Sequence, residues 1–336
     1  MQPWELQAIR RAHLLHLQLE SAVKRTESSN VAALREFDFM SADSPYMQQL
    51  VKLYREDMAL AGLLDSSDLL LHAEGPGAID HSPRLRAVNW LCSNAEKHIK
   101  SLLSSLLPMT KKTNRIAIQD LDLRLCGLAP GSLYAGFALA ATTLDSKEAG
   151  FSFEDDELLG SMRKAMHSLP VVPQYVDSDR LNPEIMEALP DPALRDAVLV
   201  AAYELAPTGS RGIHTVEISS PRAAESASRQ PHALGQRERL VLRDALRQKP
   251  MMRQSRSGSF IGVLRAIDLD TMRISVRGIS SEIAALRGCL NEQAVQQARY
   301  YLDQQVRITG EYECGQDGQP RMMQVQFIEL AQGELT

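Results

Sequence analysis

Aromatic side chains make up only 5% of this 336-residue chain, a scarcity that argues against a sugar-binding or base-stacking surface built from many exposed rings. No unbroken apolar run approaches the roughly twenty residues needed to cross a bilayer. The first residues, Met1-Gln2-Pro3-Trp4-Glu5, lack a basic segment followed by an apolar one. A cytoplasmic protein without membrane attachment is the expectation. Cysteines are few, and Cys92, Cys126, Cys289 and Cys314 lie far apart with no CxxC pair and no histidine at ligand spacing. A disulfide framework or zinc module is therefore excluded, and reduced, mostly buried thiols are expected.

The signatures of common catalysts are also missing. No GxxxxGK[ST] occurs, nor any Gly-Lys pair, and GxGxxG, HExxH, GxSxG and the kinase signatures are absent. Ordinary ATPases, zincins, α/β-hydrolases and protein kinases are set aside. No cofactor or resident metal is expected, and the balance leans away from an enzyme.

What is present is material for a folded protein. Hydrophobic residues form 44% and charged residues 24% of the chain, near globular averages, and the length suits two or three compact units. The net charge of −5 is unevenly spread. Arg222 to Arg256 carries nine basic and three acidic residues, a local +6 against −11 elsewhere. Attraction is governed by this local field within a Debye length of roughly 8 Å.

The first hundred or so residues read as helices. Trp4, Ala8, Ala12, Leu15, Leu19 and Ala22 form one stripe, and Ser44-Pro45 opens a second helix that Gly62 can end. A third follows Ser82-Pro83 and stops at Pro108. Its stripe of Leu85, Val88, Cys92, Ala95, Ile99, Leu102 and Leu106 alternates spacings of three and four. This seam, within residues 84–107, suits packing against the first two helices, with homo-oligomer formation as the other use.

The period then becomes extended. Ile116 to Leu125 changes phase near Asp120, predicting a bulged strand, and Leu133 to Leu139 is its return across an Ala129-Pro130-Gly131 turn. Helices follow from Ser152 and from Asp191-Pro192, and His214, Val216 and Ile218 share a strand face. Ser219 to Gln236 has linker composition, and Arg237 to Gln248 fits a short basic helix. Beyond Pro250 come two hairpins joined by an amphipathic segment from Asn291 to Leu302. The expected class is α+β and multi-domain: a helical domain (1–110), a central α+β domain (111–220), a basic linker and short helix (221–250), and a small β-barrel-like module of OB or SH3 type (251–332).

Two constellations could carry function. Asp120 and Asp122 on the bulged strand, with Glu217 on a later one, could hold a divalent ion as in a divergent metal-dependent nuclease or other phosphodiester-processing enzyme. His13 and His16 share a helix face but lack a third ligand. The more connected signal is basic. If Met272, Ile274 and Val276 face a barrel interior, Arg273 and Arg277 face outward, as does Arg307, and Arg253 and Arg256 lead into the module. These five arginines predict a non-catalytic binding or scaffold subunit that engages nucleic acid or a protein partner.

Overall fold

The computed structural model describes residues 3–28, 38, 41, 43–53, 59–78, 83–106, 122–129, 133–140, 153–221, 232–280, 283, 285–315 and 317–331. The described residues open with the helices α1 (Pro3–Glu27), α2 (Pro45–Lys52) and α3 (Ala59–Ser66). Pro45 opens α2 behind Ser44, as predicted, but Gly62 lies inside α3 and ends no helix.

Immediately after α3 comes a strand that helical periodicity does not predict. β1 (Leu69–Glu74) is the centre of a five-stranded sheet ordered β2-β3-β1-β4-β5. It pairs antiparallel with β3 (Leu133–Ala140) on one side and with β4 (Thr215–Ser219) on the other. β2 (Asp122–Ala129) forms the expected hairpin with β3. A bulge falls between Leu125 and Gly127; Asp120, near which one was expected, lies outside the described residues. Both faces of β1 are covered, which explains its unbroken Leu69-Leu70-Leu71 run. Leu69, Leu71 and Ala73 join the main core, while Leu70 meets Leu63 of α3.

Four helices complete this layer. They are α4 (Leu85–Leu106), α5 (Phe153–Ser168), the single turn α6 (Ile185–Ala188) and α7 (Pro192–Leu205). Asp191 caps α7 by accepting hydrogen bonds from the Ala193 and Leu194 amides. The α4 seam is intramolecular, with Ala95, Ile99 and Leu102 buried, but its neighbours are α7, α5 and the sheet rather than α1 and α2. The reason is β1: it ties α4 to a sheet built mainly from later sequence. One apolar cluster draws residues from Leu69 to Leu246, on both sides of residue 110.

The described end of the stretch expected to link two domains, from residue 232 on, also meets this core. β5 (Ala233–Leu234) extends the sheet beside β4, and α8 (Gln236–Arg247) buries Leu242 and Leu246 against the cluster. The Arg239 guanidinium of α8 lies 4.1 Å from the Tyr203 ring centre of α7 and donates to the Ala206 carbonyl.

Residues 256–330 form a closed barrel, ordered β10-β8-β7-β6-β9. Its strands are β6 (Arg256–Asp268), β7 (Arg273–Arg277), β8 (Ala285–Leu290), β9 (Gln305–Cys314) and β10 (Pro320–Leu330), with α9 (Glu292–Ala298) between β8 and β9. β8 runs parallel to β10, and the other pairings are antiparallel. Leu264, Ile274, Val276, Ile308 and Val325 fill the interior, as alternation predicts. No described helix is long and apolar enough to cross a membrane.

Candidate functional site

Alternation aims Arg273 out of the barrel, but the expectation that it meets solvent is overturned. Arg273 is only 6% exposed because the outer face of β7 and β8 is covered by α7. Its Nε donates to Asp196 Oδ1 at 2.8 Å, while Arg287 of β8 donates Nη2 to Asp196 Oδ2 at 2.8 Å. One buried carboxylate thus receives two guanidiniums from neighbouring strands. Arg273 also donates to the carbonyls of Leu246 and Thr271, and its Nη1 lies 3.0 Å from Cys289 Sγ. Burial alone would raise the Asp196 carboxyl, but the two guanidiniums and their hydrogen bonds outweigh it and hold it below the usual carboxylate range. The Cys289 thiol is pushed up by burial, Arg273 only partly offsetting this.

The residue before Asp196 makes the reciprocal contact. Arg195 donates Nη2 to Glu313 Oε2 of β9 at 2.7 Å and also reaches the carbonyls of Leu189 and Met251. Two adjacent, oppositely charged residues of α7 are therefore matched by opposite charges on the barrel. Because removing one member of such a pair strands a buried charge, this junction holds the barrel in one orientation. In the sequence the signal was the charged pair Arg195-Asp196 within a mostly apolar helix.

The other predicted arginines are dispersed. Arg253 and Arg256 are exposed at the entry to β6, and the Arg253 amide donates to Glu313 Oε1. Arg277 is half-buried. Arg307 stays exposed on β9, with its Nη1 3.9 Å from Glu329 of β10. Arg307 leads to a surface that alternation alone did not reveal. Phe327 of β10 is 70% exposed and lies opposite Thr309, whose hydroxyl is 2.9 Å from that of Ser259 on β6. The register shift between Val325 and Phe327 accompanies this outward aromatic.

Of the predicted carboxylates Asp120 lies outside the described residues, and Asp122 and Glu217 do not converge. Asp122 pairs with Ala140 at one end of β3, whereas Glu217 sits across His72 from Tyr134, six positions along the same strand. At about 3.3 Å per residue this separates them by about 20 Å. Glu217 instead accepts from or faces His72 Nδ1 at 2.8 Å, and the His72 ring stacks on Tyr134 with centres 4.0 Å apart. Among the described residues no group of three or more His, Cys, Asp or Glu side chains could hold a metal ion. His13 and His16 are exposed on α1.

A separate open pocket of about 450 Å³ lies on α4, lined by Arg86, Asn89, Trp90, Ser93 and Asn94 and closed on one side by Arg211. Arg211 occupies a left-handed backbone position, φ 75°, within the 3-10 turn Ser210–Gly212. Two glycine turns interlock behind it. The Gly77 amide donates to the Gly212 carbonyl at 2.7 Å, and a Cβ at Gly77 would come within 2.6 Å of the Arg211 carbonyl oxygen. Compared with known protein families, curated proteins and solved structures, the chain matches none.

Proposed function

We propose that the chain is a non-catalytic binding subunit that engages single-stranded nucleic acid through the outer face of β6, β9 and β10. The observation that carries this reading is the exposed Phe327 in register with Thr309 and flanked by Arg307. An aromatic platform stacks on a base, hydroxyls contact the sugar or phosphate, and arginine neutralises the backbone. Exposed Arg253 and Arg256, at the entry to β6, add basic charge to the barrel.

The barrel resembles the OB type, in which the faces of the second and third strands bind oligonucleotides. Here those strands are β7 and β8, and α7 occupies their outer face. A ligand surface displaced to β6, β9 and β10 accommodates that packing.

The test is fluorescence anisotropy of a labelled oligothymidylate or oligouridylate with the full chain at low salt. Binding should weaken with added salt, and Phe327→Ala and Arg307→Glu should each reduce affinity roughly tenfold or more while leaving the melting temperature unchanged. Absence of binding at low salt, or binding indifferent to both changes, overturns the proposal and turns attention to a protein partner for the same face.

A further inference from the structure

The pocket on α4 gathers polar and cationic side chains around one indole. Arg86, Asn89, Trp90 and Ser93 follow at spacings of three, one and three, so α4 presents them as one patch, and the Ser210–Gly212 turn brings Arg211 to its rim. Every polar residue described in its lining offers a hydrogen-bond donor, and none of the described lining residues is a carboxylate. Arg86 and Arg211 make no ion pair or side-chain hydrogen bond among the described residues. Two guanidiniums at one pocket with no acidic partner among the described residues suit an anion, and their planar forks suit phosphate.

Two further observations narrow the ligand. Trp90 is half-buried, packing against the core on one side and lining the pocket on the other. An indole so fixed offers a planar group a stacking surface, and the Asn89 and Asn94 amides can both donate to and accept from a heterocycle's edge. The volume falls in the range of small-molecule sites. Arg211 is also held in a backbone region that costs a non-glycine residue energy, although glycine stands two positions before it and immediately after it. A turn under no demand for a side chain there would have been served better by a third glycine.

We infer that this pocket binds a nucleoside phosphate, with Arg86 and Arg211 on the phosphate and Trp90 against the base. The site lies on the N-terminal core and is independent of the nucleic-acid face of the barrel, so each reading stands or fails by itself.

The experiment uses the full chain carrying Trp4→Phe, which leaves Trp90 as its tryptophan. AMP, GMP, CMP and UMP are titrated with tryptophan fluorescence and calorimetry as readouts, beside adenosine and inorganic phosphate as half-ligands. At least one nucleotide should bind with quenching, and both half-ligands should bind more weakly. Arg86→Ala and Arg211→Gly should each weaken nucleotide binding by roughly tenfold or more, as loss of a charged hydrogen bond does. Glycine accepts the φ of position 211, so Arg211→Gly should melt no lower than the parent, which separates lost binding from lost folding. Failure of all four nucleotides to bind at millimolar concentration overturns the assignment. So does binding that survives the double variant, and inorganic phosphate binding as tightly as any nucleotide overturns the nucleoside part.

Discussion

The Asp196 carboxylate of α7 lies 2.8 Å from the Arg273 Nε of β7 and is buried with it, so the charge that seats the barrel on the first core is shielded from water. Asp196→Ala would leave Arg273 and Arg287 without their common anion. By the usual cost of breaking a buried pair it should destabilise the protein by about 3–5 kcal/mol. The pH dependence has a definite sign. The folded pKa is depressed, so the stabilisation is full above the unfolded carboxyl range near 4 and is lost as pH falls through the folded value. Urea melts across acid pH should show a steeper loss in the parent than in Asp196→Asn.

His98 carries the opposite kind of shift for a base. Burial, then the nearby Lys97 and Arg239 charges, lower it to about 4, with Asp268 opposing. The unfolded state therefore binds the proton more readily, and stability is full above about 6.5 and falls as pH drops towards 4. His98→Gln should remove this slope. The neighbouring Glu204, raised mainly by burial, has the reverse dependence and should remain, making the variant gain stability on mild acidification.

Leu102 tests the seam of α4. It is 2% exposed in the main core, so Leu102→Ala should cost about 2–5 kcal/mol. Light scattering should show no change in the size of the particle, since the seam already meets α7 and the sheet. A shift to a smaller species would instead place the seam between copies.

Cutting the chain at a specific protease site engineered within 222–231 should not release the barrel. β5 and α8 follow the cut yet belong to the first core, and Asp196 and Arg195 hold the barrel to α7. The two fragments should coelute on gel filtration and separate only in denaturant.

Much of the local structure was legible because its signals are local. Asp191-Pro192 marks the start of α7, and the alternation of Ile274 with Val276 marks the interior of the barrel. β1 was hidden because a strand buried on both faces has no alternation to display, and its six residues fall among helical signals. For the candidate site, Arg273 was correctly aimed out of the barrel, but no local pattern tells that α7, seventy-seven positions earlier, covers it. Arg86 and Arg211 likewise meet through a fold-level juxtaposition. Their separate hints were polar residues beside Trp90 at helical spacing and an arginine between Gly209 and Gly212.

The packing of α7 over β7 and β8 also bears on how the barrel can be studied in isolation. A truncated barrel would expose Arg273, Arg287 and Met322, all of which the intact chain shields to different degrees. Such a fragment would carry a sticky cationic patch that the native molecule does not show. Its adhesion to any polyanion, or to itself, would then be a property of the scissors rather than of the protein.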